Sequence, residues 1–224
     1  MQFRHELKHE ITTADMIELR QRLRAIAKPD PHAVDGKYLI RSLYFDTPED
    51  RALLEKRSGV SRRQKFRIRY YNGDLSMIRL EKKSKTGALG TKVSAPLSPA
   101  QVMQICSGEI DWMREDQNPL LRELYAQMVS TRLAPKSIVD YTREPFLYAP
   151  GNVRMTLDYN IRTTLDTAVF LDPECATMPA AFGVCILEVK WDAFLPGIIR
   201  DAVQLSHART GAFSKYEASR LPAV

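Results

Sequence analysis

The sequence predicts an α+β protein whose antiparallel sheet closes into an eight-stranded barrel, a tunnel with a charged lumen that helices cover on the outside. Two observations predict this class. Several segments alternate charged and apolar residues, which places all charges of a strand on one face: 3–11, 63–71, 75–83, 153–159 and 184–191. Other segments carry helix caps or helical spacing of apolar residues: 13–27, 99–105, 119–129 and 196–205.

The strand predicted over residues 63–71 shows the alternation clearly. Lys65, Arg67 and Arg69 occupy its odd positions, whereas its even positions are aromatic or aliphatic. Same-face neighbours on a strand lie about 6–7 Å apart. Two like charges at that distance repel by about 2–3 kcal/mol at an effective dielectric of 20. Such a row indicates that solvent or a polyanion compensates the charge.

Two geometries account for these strands. An antiparallel sheet with one solvated face is the simpler geometry. Solvated faces usually carry many Thr, Ser, Gln and Asn side chains, whereas this one mixes Arg and Lys with Glu. A barrel of about eight strands, with apolar positions outside and charges inside, is just wide enough for a chain-like ligand. Strand patterning alone leaves both geometries open.

The predicted helices supply the apolar cover that the barrel needs. Thr13 is the expected cap of the first helix, and the apolar side chains of that helix share one face. Ser98 and Pro99 begin the second helix, Pro119 begins the third, and Pro196 begins a fourth with an apolar side over 198–205.

Composition bounds the class of protein. The chain has 224 residues, and its 33 Lys and Arg against 27 Asp and Glu give a net charge of +6. This balance favours anionic partners. No apolar run is long enough to span a membrane, and no secretion signal is evident. Three scattered cysteines exclude a disulfide framework. We expect one domain over residues 1–224, located in the cytoplasm.

Eight short stretches, in order along nearly the whole chain, resemble the triphosphate tunnel metalloenzymes. The similarity is closer to their polyphosphate polymerase branch, the vacuolar transporter chaperone domain. The stretches are FRHELKH at 3–9, SLYFDT at 42–47, KFRIRYY at 65–71, LEKK at 80–83, YTR at 141–143, VRMTLD at 153–158, LEVK at 187–190 and FSKY at 213–216.

The resemblance implies a role for particular residues at matching positions. Basic side chains would bind phosphates: Lys8, Arg67, Arg69, Lys83, Lys92, Arg143, Arg154 and Lys215. Ser214 would add a hydroxyl contact. Glu188 would be the principal ligand of Mn²⁺ or Mg²⁺, and Glu6 the second. Lys8, Arg67, Arg69 and Glu188 would form the catalytic set.

The implied activity is metal-dependent phosphoryl transfer on a nucleoside triphosphate such as ATP, with polyphosphate, triphosphate or pyrophosphate as further ligands. Synthesis of polyphosphate is the leading hypothesis. A hydrolase of the same fold and a non-catalytic polyphosphate-binding module are the alternatives. Few aromatic residues lie on the basic face, so no nucleic-acid partner is expected. A membrane-protein partner stays open.

Some assignments keep a second interpretation. Glu188 could simply pair with Lys190 on the same face, and Glu81 could be a salt-bridge partner or a metal ligand. Asp158 is similarly ambiguous. Arg4 stands where the superfamily motif Glu-x-Glu-x-Lys has its first glutamate, which favours the polymerase branch.

Overall fold

The computed structural model describes residues 5–87, 89–205, 209–210 and 213–220; Arg4 lies outside them. The strands are β1 (His5–Ile11), β2 (Lys28–Pro29), β3 (Tyr38–Asp46), β4 (Arg62–Tyr71), β5 (Asp74–Thr86), β6 (Leu89–Pro96), β7 (Ala134–Tyr148), β8 (Val153–Thr164), β9 (Met178–Pro179), β10 (Cys185–Trp191) and β11 (Arg209–Thr210). The α-helices are α1 (Thr13–Ile26), α2 (Arg51–Arg57), α3 (Pro99–Ser107), α4 (Pro119–Thr131), α5 (Gly197–Ala202) and α6 (Lys215–Arg220). Short 3₁₀ turns lie at Asp111–Met113, Pro150–Asn152 and Thr167–Val169.

The chain forms two compact units. Unit 1 contains Met1–Leu39, Asp140–Arg162 and Pro179–Val224, and unit 2 contains Ile40–Val139 and Thr163–Met178. Strand β7 contributes residues to both units. The prediction of a single domain over 1–224 stays a prediction.

Unit 1 is a sheet with one apolar face. Its strands follow the order β11-β1-β10-β8-β7, with β2 also paired to β7. The apolar positions of β1, β8 and β10 pack with α1 and α5 into a core that includes Leu19, Leu23, Leu157, Leu187 and Val189. This packing directs the charged positions of the same strands to the opposite face.

Unit 2 repeats this division. Its strands follow the order β7-β3-β4-β5-β6, and β4, β5 and β6 are joined as antiparallel hairpins. Phe66, Ile68 and Leu80 are buried against α3 and α4, which contribute Ile105 and Leu124 to the core. Lys65, Arg67 and Arg69 of β4 therefore lie on the face away from the core.

The α+β class with an antiparallel sheet is confirmed. Among the described residues, eight strands have seven or more residues, as expected, and β2, β9 and β11 have two each. All five predicted strands are present, with β8 extending to Thr164. No helix in the described part of the chain is long and apolar enough to cross a membrane.

Two helix predictions need correction. The cap of α1 is Thr12 rather than Thr13, because only Thr12 has Asp15 three residues later to complete a capping box. The Thr12 hydroxyl accepts from the Asp15 N–H at 3.1 Å, and the Asp15 carboxylate accepts from the Thr12 N–H at 2.9 Å. The last predicted helix is shorter than expected, since α5 ends at Ala202.

Candidate functional site

The charged face of unit 1 is assembled by strand register. Lys8 of β1 lies directly opposite Glu188 of β10, and Glu188 lies opposite Thr156 of β8. Glu6 lies opposite Lys190 in the same way. Directly paired residues project from the same face of a sheet. Glu188 therefore stands among the polar side chains of three adjacent strands.

The Glu188 carboxylate is surrounded by cations. Lys8 Nζ lies 3.1 Å from Glu188 Oε1 and 3.2 Å from Glu6 Oε1. Lys190 Nζ donates to Glu188 Oε2 at 2.8 Å, so the predicted alternative of a Lys190 pair is also present. Arg143 approaches the same oxygen at 3.9 Å. The side chain of Glu188 is 10% exposed.

Charge keeps this carboxylate ionised. Burial alone would raise the pKa of Glu188, but Lys8, Lys190 and Arg143 outweigh it and hold the pKa well below its ordinary range. Burial alone would lower the pKa of Lys8. The charges of Glu188 and Glu6 outweigh this effect, so the pKa of Lys8 is raised. Both groups therefore act as fixed charges near neutral pH, and neither exchanges protons there.

Asp158 holds two of the predicted phosphate ligands. Arg143 donates to its two carboxylate oxygens at 2.6 and 2.7 Å, and Lys215 Nζ lies 2.5 Å from one of them. Both cations also lie against the ring of Tyr141. Burial would raise the pKa of Asp158, but Arg143 and Lys215 lower it to about 2. Asp158 thus orients a buried pair of cations.

Arg154 and Ser214, two further predicted phosphate ligands, have other partners in unit 1. Arg154 pairs with the buried Asp30 at 3.2 Å and is partly exposed. The Ser214 hydroxyl accepts from the Glu217 N–H at 3.3 Å, which places it at the start of α6.

A divalent cation fits the carboxylates of unit 1. Glu6 and Glu188 both contact the Lys8 ammonium, so their oxygens lie close together. The buried Thr156 hydroxyl, opposite Glu188, has no hydrogen-bond partner among the described residues. No group of three or more His, Cys, Asp or Glu suited to a metal occurs in the described part. Two carboxylates suffice for Mg²⁺, which keeps several water or substrate oxygens.

The charged face of unit 2 consists of cross-strand rows. Lys65, Lys83 and Lys92 lie directly opposite one another on β4, β5 and β6. The next row contains Arg67 opposite Glu81. Like charges directly opposite each other destabilise a sheet. Burial is the main cause of the lowered pKa of Lys65, and the nearby Lys56 and Arg63 lower it further.

Glu81 pairs with one cation from each row. Arg67 donates to Glu81 Oε2 through Nε at 2.6 Å and NH2 at 2.5 Å, and Lys92 pairs with Oε1. The Glu81 side chain is 4% exposed. Burial would raise its pKa, but Arg67, Arg69 and Lys92 lower it to about 2. Glu81 is therefore a salt-bridge partner of two predicted phosphate ligands.

Arg69 is fixed from a different strand. Its Nε donates to the Ser42 hydroxyl at 2.9 Å, and the residue is 4% exposed. The guanidinium also lies 5.9 Å from the centre of the Tyr71 ring. Ser42 lies in a stretch that the resemblance includes, but its contact with Arg69 depends on β3 pairing with β4, which was not predicted.

The structure thus assembles the predicted residues as two sets. Unit 1 brings together Lys8, Glu6, Glu188, Arg143 and Lys215. Unit 2 brings together Arg67, Arg69, Lys83 and Lys92 on one sheet face. Sequence reasoning missed Ser42 and Tyr141 as parts of the site.

The VTC domain family matches residues 3–221 of the chain. The chain belongs to this family. A candidate adenylate cyclase from Bacillus halodurans is similar in structure, with TM-score 0.50 and 15% identity over 86% of this chain and 81% of that one. Among curated proteins, none matches the sequence.

Two other solved structures show weaker similarity. A candidate adenylate cyclase from Vibrio parahaemolyticus has TM-score 0.45 and 13% identity, covering 85% of this chain and 76% of that one. A protein from Pyrococcus horikoshii has TM-score 0.41 and 15% identity, covering 89% and 84%.

Membership of the VTC domain family confirms the resemblance stated from the short sequence stretches. The match includes every predicted phosphate and metal ligand, from Glu6 to Lys215. Family membership supports a phosphotransferase or triphosphatase class for this VTC domain, and the Bacillus halodurans structure shows a shared fold. The roles of the individual residues remain predictions.

Proposed function

We propose that this VTC domain is a metal-dependent phosphotransferase that lengthens polyphosphate from a nucleoside triphosphate such as ATP. The observation that carries the proposal is the row of Lys65, Lys83 and Lys92, directly opposed on three strands beside Arg67 and Arg69. A row of this kind is stabilised by a ligand that brings one negative charge per repeating unit. Polyphosphate has that property.

Each set of cations has a share in binding. Arg67 and Arg69 present planar guanidinium groups that can contact two phosphate oxygens at once. Lys83 and Lys92 add point charges along the same face. In unit 1 we assign phosphate contacts to Lys8, Arg143, Arg154, Ser214 and Lys215.

The reaction needs alignment more than covalent help from the protein. A terminal oxygen of the growing chain attacks the γ-phosphorus of ATP, the β–γ bridging bond breaks, and ADP leaves with the bridging oxygen. In unit 2, Arg67 and Arg69 would hold phosphate oxygens and balance their negative charge, and Lys8 would do the same in unit 1.

Glu188 and Glu6 are the residues that would hold Mg²⁺ or Mn²⁺. When bound, the ion neutralises charge on the phosphate oxygens. Lys8 and Lys190 keep Glu188 ionised and fix the direction of its oxygens. The Thr156 hydroxyl, buried without a partner among the described residues, can accept or donate a further hydrogen bond at this position.

We also propose a cytoplasmic location, where nucleoside triphosphates are abundant and thiols stay reduced. Cys106, Cys175 and Cys185 are all free thiols, in keeping with that compartment.

Incubation with ATP and Mn²⁺ tests the proposal, with products separated on a polyphosphate gel and orthophosphate assayed in parallel. We expect a ladder of long chains from the native protein. Glu188→Gln should abolish the ladder and retain much of the affinity for tripolyphosphate, because the cations remain. Glu18→Gln, an exposed change of the same kind on α1, is the matched control and should leave the ladder intact.

Other outcomes would replace the proposal. Orthophosphate without a ladder would indicate a hydrolase of the same fold. Absence of turnover together with tight binding of polyphosphate would indicate a binding module.

A further inference from the structure

Unit 2 contains a cavity of about 510 Å³ between the far end of the β4–β5 hairpin and helices α2 and α4. None of the predicted phosphate ligands is among its described lining residues. Lys65 of the lysine row lines the cavity, whereas Arg67 and Glu81 of the next row do not. Its volume falls within the range of small-molecule sites.

Polar stripes from three elements converge on this cavity. On the hairpin, Arg62 lies opposite Thr86 and Gln64 lies opposite Ser84, and all four line the cavity. The next pair along this side is Phe66 opposite Lys82, and the pair after it is the buried Ile68 and Leu80. The side that faces the core thus becomes polar where it reaches the cavity.

The two helices contribute matching stripes. Glu123, Gln127 and Thr131 lie four residues apart on α4, and Arg51 and Glu55 lie four residues apart on α2. Residues at this spacing share one face of a helix. Both helices therefore present polar residues to the cavity. Hydrophobic packing against the sheet does not account for these polar residues.

The lining carries an excess of positive charge. Three carboxylates line the cavity, and each already has a partner. Glu55 pairs with Arg51 at 2.8 Å, Glu123 pairs with Lys82, and Asp46 accepts backbone N–H groups of α2. Six basic residues line the same cavity: Arg51, Arg62, Arg63, Lys65, Lys82 and Lys85. The side chains of Arg62 and Lys85 have no hydrogen-bond or ion-pair partner among the described residues.

We propose that this cavity is a second anion site, which binds a small molecule carrying two or more phosphate groups. Arg62 and Lys85 supply the uncompensated charge, and Gln64 and Ser84 supply hydrogen bonds from the hairpin. Glu55 pairs with Arg51 and Glu123 pairs with Lys82 in the cavity wall. These ion pairs reduce the net positive charge of the cavity to an amount that a small polyanion can neutralise. This site is additional to the phosphotransferase proposal and does not depend on turnover.

Calorimetric titration with pyrophosphate, without metal, tests the proposal. The native protein should bind two equivalents. The double variant Arg62→Gln, Lys85→Gln should lose one equivalent, or bind it at least tenfold more weakly, and keep the other unchanged. Both side chains are exposed, so the variant should fold; its melting temperature checks this. Arg24→Gln with Lys37→Gln, two exposed cations of unit 1, forms the matched control and should still bind two equivalents.

The double variant Arg67→Ala, Arg69→Ala assigns the remaining equivalent. It should lose the equivalent bound at Arg67 and Arg69 and retain the equivalent that depends on Arg62 and Lys85. The proposal is overturned if native protein binds only one equivalent, or if the Arg62, Lys85 variant titrates like the native protein. Failure of polyphosphate synthesis would leave this result unaffected, since no nucleotide is present in the titration.

Discussion

Arg67 is the cation whose contribution to phosphate binding can be measured most directly. It is held by Glu81 through two nitrogen atoms, so its position is fixed before any ligand binds. Hydrogen bonds to charged groups contribute about 1.5–3 kcal/mol. Arg67→Ala should therefore weaken tripolyphosphate binding by roughly 10- to 100-fold, as measured by calorimetry.

Arg67→Lys separates charge from geometry. It keeps the positive charge and loses the planar fork, so we expect an affinity between those of the native protein and Arg67→Ala. Equal affinity for the native protein and Arg67→Ala would remove this residue from the phosphate site.

Asp158 links the charged face of unit 1 to pH. Its pKa in the folded protein is about 2, below the ordinary 3.8, and the side chain is 1% exposed. A lowered pKa means that the ionised form favours folding, so this contribution is full above about pH 4 and declines as the pH falls toward 2. At neutral pH it amounts to about 2 kcal/mol.

Urea unfolding of native protein and Asp158→Asn at pH 7 and pH 3 tests this linkage. At pH 7 the variant should be less stable by about 3 kcal/mol, because Arg143 and Lys215 lose their carboxylate. The difference should shrink by about 1 kcal/mol at pH 3. A difference that stays constant between the two pH values would contradict the assigned pKa. Glu18→Gln should show no pH-dependent difference.

At the scale of elements, the turn between β7 and β8 packs tightly. Gly151 has φ of +75°, and a Cβ there would lie 2.5 Å from the Phe194 carbonyl oxygen. Gly36 has φ of +73° but open space around it. Gly36→Ala should cost about 1 kcal/mol from backbone strain alone. Gly151→Ala should cost clearly more, by at least another 1–2 kcal/mol, in urea unfolding. Equal destabilisation by Gly36→Ala and Gly151→Ala would show that the turn shifts away from Phe194 to accommodate the added methyl group.

Alternation predicted only those strands that have one charged and one apolar face. β4 and β5 are of this kind, and their prediction is confirmed. β3 was not predicted because residues on both of its faces are buried, including Arg41 and Ser42, so the pattern disappears. β6 combines Gly90 with an apolar residue at the exposed position Val93, which also obscures the period.

The same limit applies to the site. Periodicity placed Arg67 and Arg69 on one face, but their partners depend on register between strands. Arg143 and Asp158 lie on the consecutive strands β7 and β8, whereas Lys215 lies 57 residues beyond Asp158 in α6, and no spacing rule relates the three. Sequence therefore predicted the chemistry of the site and left its internal ion pairs undetermined.

At the scale of the whole molecule, the net charge of +6 favours polyanions of any kind. We propose that both units act as one functional domain, as the family match over residues 3–221 suggests. Binding of polyphosphate by many cations should weaken linearly on a log–log plot against salt concentration. Arg67→Ala should lower the magnitude of that slope by about one, and Arg24→Gln should leave it unchanged.

An unchanged slope in Arg67→Ala, measured between roughly 50 and 200 mM salt, would contradict direct contact between this arginine and the polymer. The same experiment compares the two units, because Lys8→Gln should reduce the slope in a similar way if unit 1 also contacts the chain.

Glu81 has a consequence for movement of the substrate. A polymer that grows at one end must advance by one phosphate after each addition, and every cation then exchanges one oxygen for the next. Because Glu81 already pairs with Arg67 and Lys92, these cations have an alternative partner at each step. In the proposed polymerase, the Glu81 carboxylate would lower the barrier to sliding and weaken the hold on the polymer, so that processivity would depend on the balance between the two.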